Sequence, residues 1–97
     1  MRHEVILAPE AVQDFRRLRA YVRSAVKGAI EVHLRHEPTK VSRSRIKRLR
    51  GMSQPQFRLR VGDVRVFYDV ADGRVEILAI VSKADARDWL AEEGKQK

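Results

Sequence analysis

FRLRVGDVRVFYDV, residues 57–70, decides the fold. In its first half Phe57, Leu59 and Val61 alternate with Arg58 and Arg60, and in its second half Val64, Val66, Tyr68 and Val70 alternate with Arg65, Phe67 and Asp69. Alternation with a period of two is the mark of a strand with one apolar face. Gly62-Asp63 between the halves is a tight-turn dipeptide, so the stretch reads as a β-hairpin with Arg58, Arg60 and Arg65 on the face away from the core. Asp72-Gly73 supplies a second turn, and Val75 to Val81 is nearly all apolar, as expected of a central strand covered on both sides.

Upstream, Arg45 to Arg50 is a short basic strand candidate, and Gly51 to Gln56, with Gly51 and Pro55, reads as a loop. His36 to Ser44 breaks periodicity at Pro38 and reads as a mobile connection. Before it the period becomes helical. Glu10 to Leu18 places Ala11, Phe15 and Leu18 on one side with Asp14, Arg16 and Arg17 outside it, and Tyr21 to Leu34 carries Val22, Ala25, Val26, Ala29 and Ile30. His3 to Ala8 suits an opening strand ended by Pro9, a residue tolerated in the first turn of a helix. Downstream, Lys83 to Glu93 spaces Ala86, Trp89 and Leu90 as a short helix, and the tail from about Glu92 is expected to fray. The order implies one α+β domain over residues 1–97: two N-terminal helices on one face of a twisted, mostly antiparallel sheet of about four strands, then a short C-terminal helix.

The 97 residues suffice for one core, and an apolar share of 43% disfavours disorder. No apolar run is long enough to span a bilayer or serve as a signal peptide, so no membrane contact and a cytoplasmic site are expected. With no cysteine and three scattered histidines, no metal and no cofactor are expected. Charge is more informative. Lys and Arg number 21 against 13 Asp and Glu, a net +8, and arginine dominates. A planar guanidinium pairs with phosphate through two bonds and stacks on bases, so this surplus fits RNA better than a general solubility charge does. If the hairpins stack in order, Arg58, Arg60 and Arg65 form an exposed cationic platform. Lys40, Arg43, Arg45, Lys47, Arg48 and Arg50 lie on a basic arm beside it, suited to RNA backbone.

The R-x-G-D-x-R-x-x-Y pattern from Arg60 to Tyr68, the K-x-L-x-G segment Lys47-Arg48-Leu49-Arg50-Gly51 and the strand-to-helix opening Val5 to Phe15 together resemble the RelE/ParE toxin superfamily. The resemblance covers nearly the whole chain. It implies a RelE-like fold, a cognate antitoxin as partner, the ribosome and mRNA as targets, and metal-independent, ribosome-dependent mRNA cleavage. DNA would be met only through the antitoxin. Arg58, Arg60 and Arg65 would then bind phosphate and stabilise transition-state charge, joined by Lys83 and Arg87 after the last strand. The C-terminal segment has no tyrosine of the kind RelE-like enzymes carry there: Ala84, Trp89 and Leu90 occupy the available places, and Trp89 suits core capping better than base stacking. Arginine is a poor general base. Two other readings therefore stand beside mRNA cleavage: a ParE-like toxin that inhibits DNA gyrase without cutting nucleic acid, and a degenerate homologue that only binds an antitoxin.

Overall fold

The computed structural model describes residues 2–97. Strand β1 (Glu4–Leu7) leads into α1 (Pro9–Arg17) and α2 (Ala20–Ala29), and α2 runs on into a π-helical turn, Ile30–Leu34. Five strands, β2 (Ile46–Arg48), β3 (Met52–Gln54), β4 (Phe57–Val61), β5 (Val64–Ala71) and β6 (Arg74–Ser82), precede α3 (Lys83–Glu93) and a last short strand, β7 (Lys95–Gln96). The main sheet has the order β1-β6-β5-β4-β2, antiparallel except for the β1–β6 pair. The nearly all-apolar strand β6 is flanked on both sides, as its composition requires.

One face of the sheet packs against α1 and α2. Ala11, Val26, Leu34, Leu59, Val66, Tyr68, Val75 and Ile77 are completely buried in this core. At this scale a buried aliphatic side chain contributes about 1.5–3 kcal/mol relative to exposure, so the inward residues of β4, β5 and β6 carry most of the fold. Tyr68 stacks on Phe57 with ring centroids 5.5 Å apart, and its hydroxyl donates to the Pro38 carbonyl at 2.6 Å. Burial pushes that phenol further above its usual pKa. The hydroxyl thus ends inside, against the connection.

That connection is pinned in other ways too. Ser42 Oγ accepts from the backbone N–H groups of Arg45 and Ile46 at 3.1 Å each, and the Glu37 N–H donates to the His33 carbonyl. The mobile segment expected from Pro38 and its polar neighbours is therefore an ordered loop, because hydroxyl side chains near the backbone form local turns.

In β6 the pairing with β5 slips by one residue: Phe67 lies opposite Ala79 but Tyr68 opposite Ile77, so Leu78 is a bulge. Strand β1 reaches only as far as Ile77, where the Ala8 N–H donates to the Ile77 carbonyl. Beyond it the Ile80 N–H has no strand partner on that side and donates to Asp14 Oδ2 of α1 at 3.0 Å.

Two features depart from the sequence reading. The sheet has five strands, not about four, because the short strand β1 adds in parallel at its edge. Residues 51–56 are not all loop: Met52 and Gln54 pair with Gln96 and Lys95, and the Lys97 N–H donates to the Gly51 carbonyl. The tail is accordingly held, not frayed. Gly94 makes the return possible, since a Cβ there would collide with the Met52 side chain and the Leu90 carbonyl. Helix α3 packs apart from the other two helices. Trp89 stacks on Phe67, 5.0 Å between centroids and 6° between planes, on the side opposite Leu59 and Val66. Its second anchor is the Ser82 hydroxyl, which caps the helix by accepting from the Asp85 N–H.

Candidate nucleic-acid interface

Register places the cations. Lys47 pairs with Arg58, Arg58 with Phe67, and Arg60 with Arg65, so Lys47, Arg58, Arg60 and Arg65 all start from the outer face of three adjoining strands. Strand β6 hands over to α3 at the same end, where the Lys83 N–H donates to the Asp63 carbonyl at 2.7 Å. Lys83 therefore stands beside the Gly62-Asp63 turn, and Arg87 follows one helical turn on. Lys47, Arg60, Lys83 and Arg87 are exposed.

The expected platform of three equivalent arginines does not form. Arg65 is only 6% exposed, and its Nη1 donates to the carbonyls of Gly62 at 2.8 Å and Val64 at 3.1 Å. The hairpin turn, with Gly62 at a positive φ of 57°, leaves carbonyls that need a donor, and Arg65 supplies it. Arg65 braces the turn; it does not face solvent.

Arg58 is the unusual group. Its side chain is partly buried, and its Nε is buried without a hydrogen-bond partner. Desolvation, then the nearby charges of Arg65 and Arg60, pull its pKa below the ordinary arginine value. The enclosed Nε is out of reach of a docking anion, but the rest of a guanidinium already partly desolvated has less hydration to lose when it meets one.

The basic arm divides. Arg48 leaves the strand on the core side and lies over the Phe57 ring, 5.1 Å from its centroid. Lys40 is paired with Glu37 at 3.5 Å, and with Arg45 it lines a separate cleft of about 280 Å³ that also takes in Val32 and His33. Desolvation, and secondarily Arg45, lowers the pKa of His33, whereas His36 is exposed. Arg43 and Arg50 are exposed, and Lys47 alone of the arm shares the face of Arg58.

The far end of the outer face has the opposite character. Asp69 accepts from Gln54 Nε2 at 2.8 Å and from the Gln56 N–H at 2.7 Å, while Gln56 Oε1 accepts from the Val70 N–H. Gln56, Asp69 and Val70 line a cleft of about 310 Å³ with Ile6, Arg74 and Glu76. This network was missed in the sequence because Gln54 of β3, Gln56 and Asp69 of β5 meet only once the strands are folded together. Among the described residues no group of three or more His, Cys, Asp or Glu could hold a metal ion, and no helix is long and apolar enough to cross a membrane.

Comparison with known proteins fits this architecture. The chain is similar to the RelE–RelB complex of Pyrococcus horikoshii (TM-score 0.70, 23% identity, covering 86% of this chain and 97% of that one). It is also similar to the toxin–antitoxin complex RelBE2 of Mycobacterium tuberculosis (0.66, 26%, 84% and 99%) and to a double arginine-to-alanine mutant of the E. coli toxin RelE in the free state (0.69, 25%, 95% and 94%). No curated protein sequence matches. Residues 5–87 match the model of the ParE toxin of type II toxin-antitoxin systems. With that match over most of its length and a RelE-like fold beneath it, the chain belongs to the RelE/ParE superfamily of type II toxins.

Proposed function

We propose that this toxin arrests translation by cutting mRNA on the ribosome in the cytoplasm, and that a cognate antitoxin silences it. The observation that carries the reading is Arg58: a partly buried guanidinium beside Lys47 and Arg60 on an outward face. RelBE2, solved as a toxin–antitoxin complex, and the free RelE toxin share this fold at 25–26% identity, which supports the antitoxin as partner.

The reaction is an internal transesterification. The ribose 2′-oxygen bonds to phosphorus as its proton leaves, the bond from phosphorus to the 5′-oxygen breaks, and that oxygen takes up a proton. In this scheme Arg58 and Arg60 hold the non-bridging oxygens as negative charge grows on them, and such electrostatic stabilisation is commonly the largest catalytic contribution. Arg65 acts through the others, holding the turn and adding positive field at Arg58. Lys83 and Arg87 stand where the strand leaves the face. Rate then depends on charge more than on a tuned base, and proton transfer passes through water.

A second reading has its own support. Trp89 is committed to Phe67, no tyrosine stands in α3, and the matching family model is that of ParE toxins. These favour a gyrase-directed inhibitor, or an antitoxin-binding homologue without activity of its own. Induction of the toxin alone, followed by primer extension along a translated message, decides. Cuts confined to translated regions and lost in Arg58→Gln are expected. Growth arrest with intact messages and loss of DNA supercoiling would overturn the RNA reading in favour of gyrase, and unimpaired growth would leave only antitoxin binding.

A further inference from the structure

A second set of cations has no place in that scheme. Between Phe15 and Ile30 stand Arg16, Arg17, Arg19, Arg23 and Lys27, and no acid. Arg16, Arg17, Arg19 and Lys27 are exposed, and Tyr21 among them is 72% exposed. Arg23 folds back, its Nη1 donating to the carbonyls of Leu18 at 3.0 Å and Arg16 at 3.4 Å, which caps α1 and draws the cations to one corner. Among the described residues none of these five is in an ion pair, although Glu31 holds Arg35 and Arg2, and Glu37 holds Lys40. A solvated surface ordinarily interleaves the two signs, and like charges this close repel, so an uncompensated run lowers stability until an anion binds.

The position of this corner adds to its meaning. Helix α1 is tied to β6 twice, through the Ala8 N–H to Ile77 and through Asp14 to Ile80. Two anchors in that order make α1 run in the same direction as β6. Its basic C-terminus therefore reaches the end of the sheet where Ser82 passes into α3 and where Lys83 meets the Gly62-Asp63 turn. Cations of the helix layer and cations of the outer face thus border the same end of the sheet from its two sides.

From this arrangement we propose that the α1–α2 turn is a second RNA-backbone surface, with Arg16, Arg17 and Arg19 gripping a phosphate run while Arg58 and Arg60 hold another strand. The proposal deepens the RNA reading above and rests on it. Two contact sets separated by the thickness of a helix layer and a sheet suit structured RNA, in which two backbones lie side by side, better than consecutive phosphates of one strand. Tyr21 adds a hydroxyl of the kind that donates to phosphate or ribose.

The test compares the toxin with Arg16→Gln/Arg17→Gln/Arg19→Gln and with Arg2→Gln/Arg74→Gln/Lys97→Gln, which removes equal charge at the other end of the sheet. Binding to a short RNA duplex and to intact ribosomes is measured across a salt series, with thermal unfolding to check the fold. Each phosphate contact contributes about 0.9 to the slope of log affinity against log salt on a duplex. The turn variant should lose about two to three in that slope and about ten- to a hundredfold in affinity, while the charge-matched control changes little. Equal losses in both variants, or none in the turn variant, would overturn the proposal. Loss of antitoxin binding with RNA binding intact would overturn it in favour of a protein surface. If the toxin binds duplex with the expected pattern but ignores ribosomes, the ribosomal reading fails and the RNA surface stands.

Discussion

Leu59 and Arg58 are chain neighbours on opposite faces of one strand, and the two faces obey different rules. At the centre of the inner face the side chains are enclosed and their neighbours apolar: Leu59, Val66 and Tyr68 are fully buried, and the Tyr68 hydroxyl is matched. On the outer face chemically similar arginines part company, with Arg65 turned onto carbonyls, Arg58 partly buried and unmatched at Nε, and Arg60 in solvent. The inner face is organised by volume and the outer by where each donor finds an acceptor.

The largest test of that contrast is Leu59→Ala, which empties an enclosed site and should lower unfolding stability by about 2–5 kcal/mol in urea titration. Arg65→Ala should come next, at about 1–3 kcal/mol, because the Gly62 and Val64 carbonyls lose their donor; a stable, inactive variant would instead return Arg65 to the exposed set. Tyr68→Phe should cost about 1 kcal/mol and speed amide exchange within residues 38–46, since only the Pro38 tether is lost. Arg58→Gln should leave the unfolding midpoint within a degree or so, because it removes an unmatched and repelled cation, yet abolish message cleavage. A large drop in stability there would merge the two faces into one.

The smallest effect belongs to His33. Its folded pKa lies below the ordinary value of 6.5, so the unfolded chain binds the proton more tightly and stability falls as pH drops through that value. His33→Gln should flatten the acid side of the stability profile slightly, measured as the difference from the parent protein at matched pH.

Much of this was legible beforehand. Period-two alternation around Gly62-Asp63 gave the central hairpin, and the helical spacing of Ala11, Phe15, Val26 and Ile30 gave the inner layer, because burial acts on one residue at a time. Strands β3 and β7 left no such trace: Met52–Gln54 and Lys95–Gln96 bury little, and a two-residue pairing between distant segments has no period. At the site, parity put Arg58, Arg60 and Arg65 on one face correctly. It gave no indication that Arg65 would turn back, since that depends on the carbonyls of a neighbouring turn.

Leu78 carries a consequence for tolerance of insertions and deletions. Because it is one extra residue in β6, Ile77 and Ile80 both point inward although three positions apart. Deleting it would restore an even ladder to β5 but force a choice: either Arg74–Ile77 keep their alignment with β1, or Ala79–Ser82 keep theirs with α1 and α3. A chain shortened by that one leucine should be far less foldable than one lengthened by a residue in the turn at Asp72-Gly73, where the added length has solvent to enter.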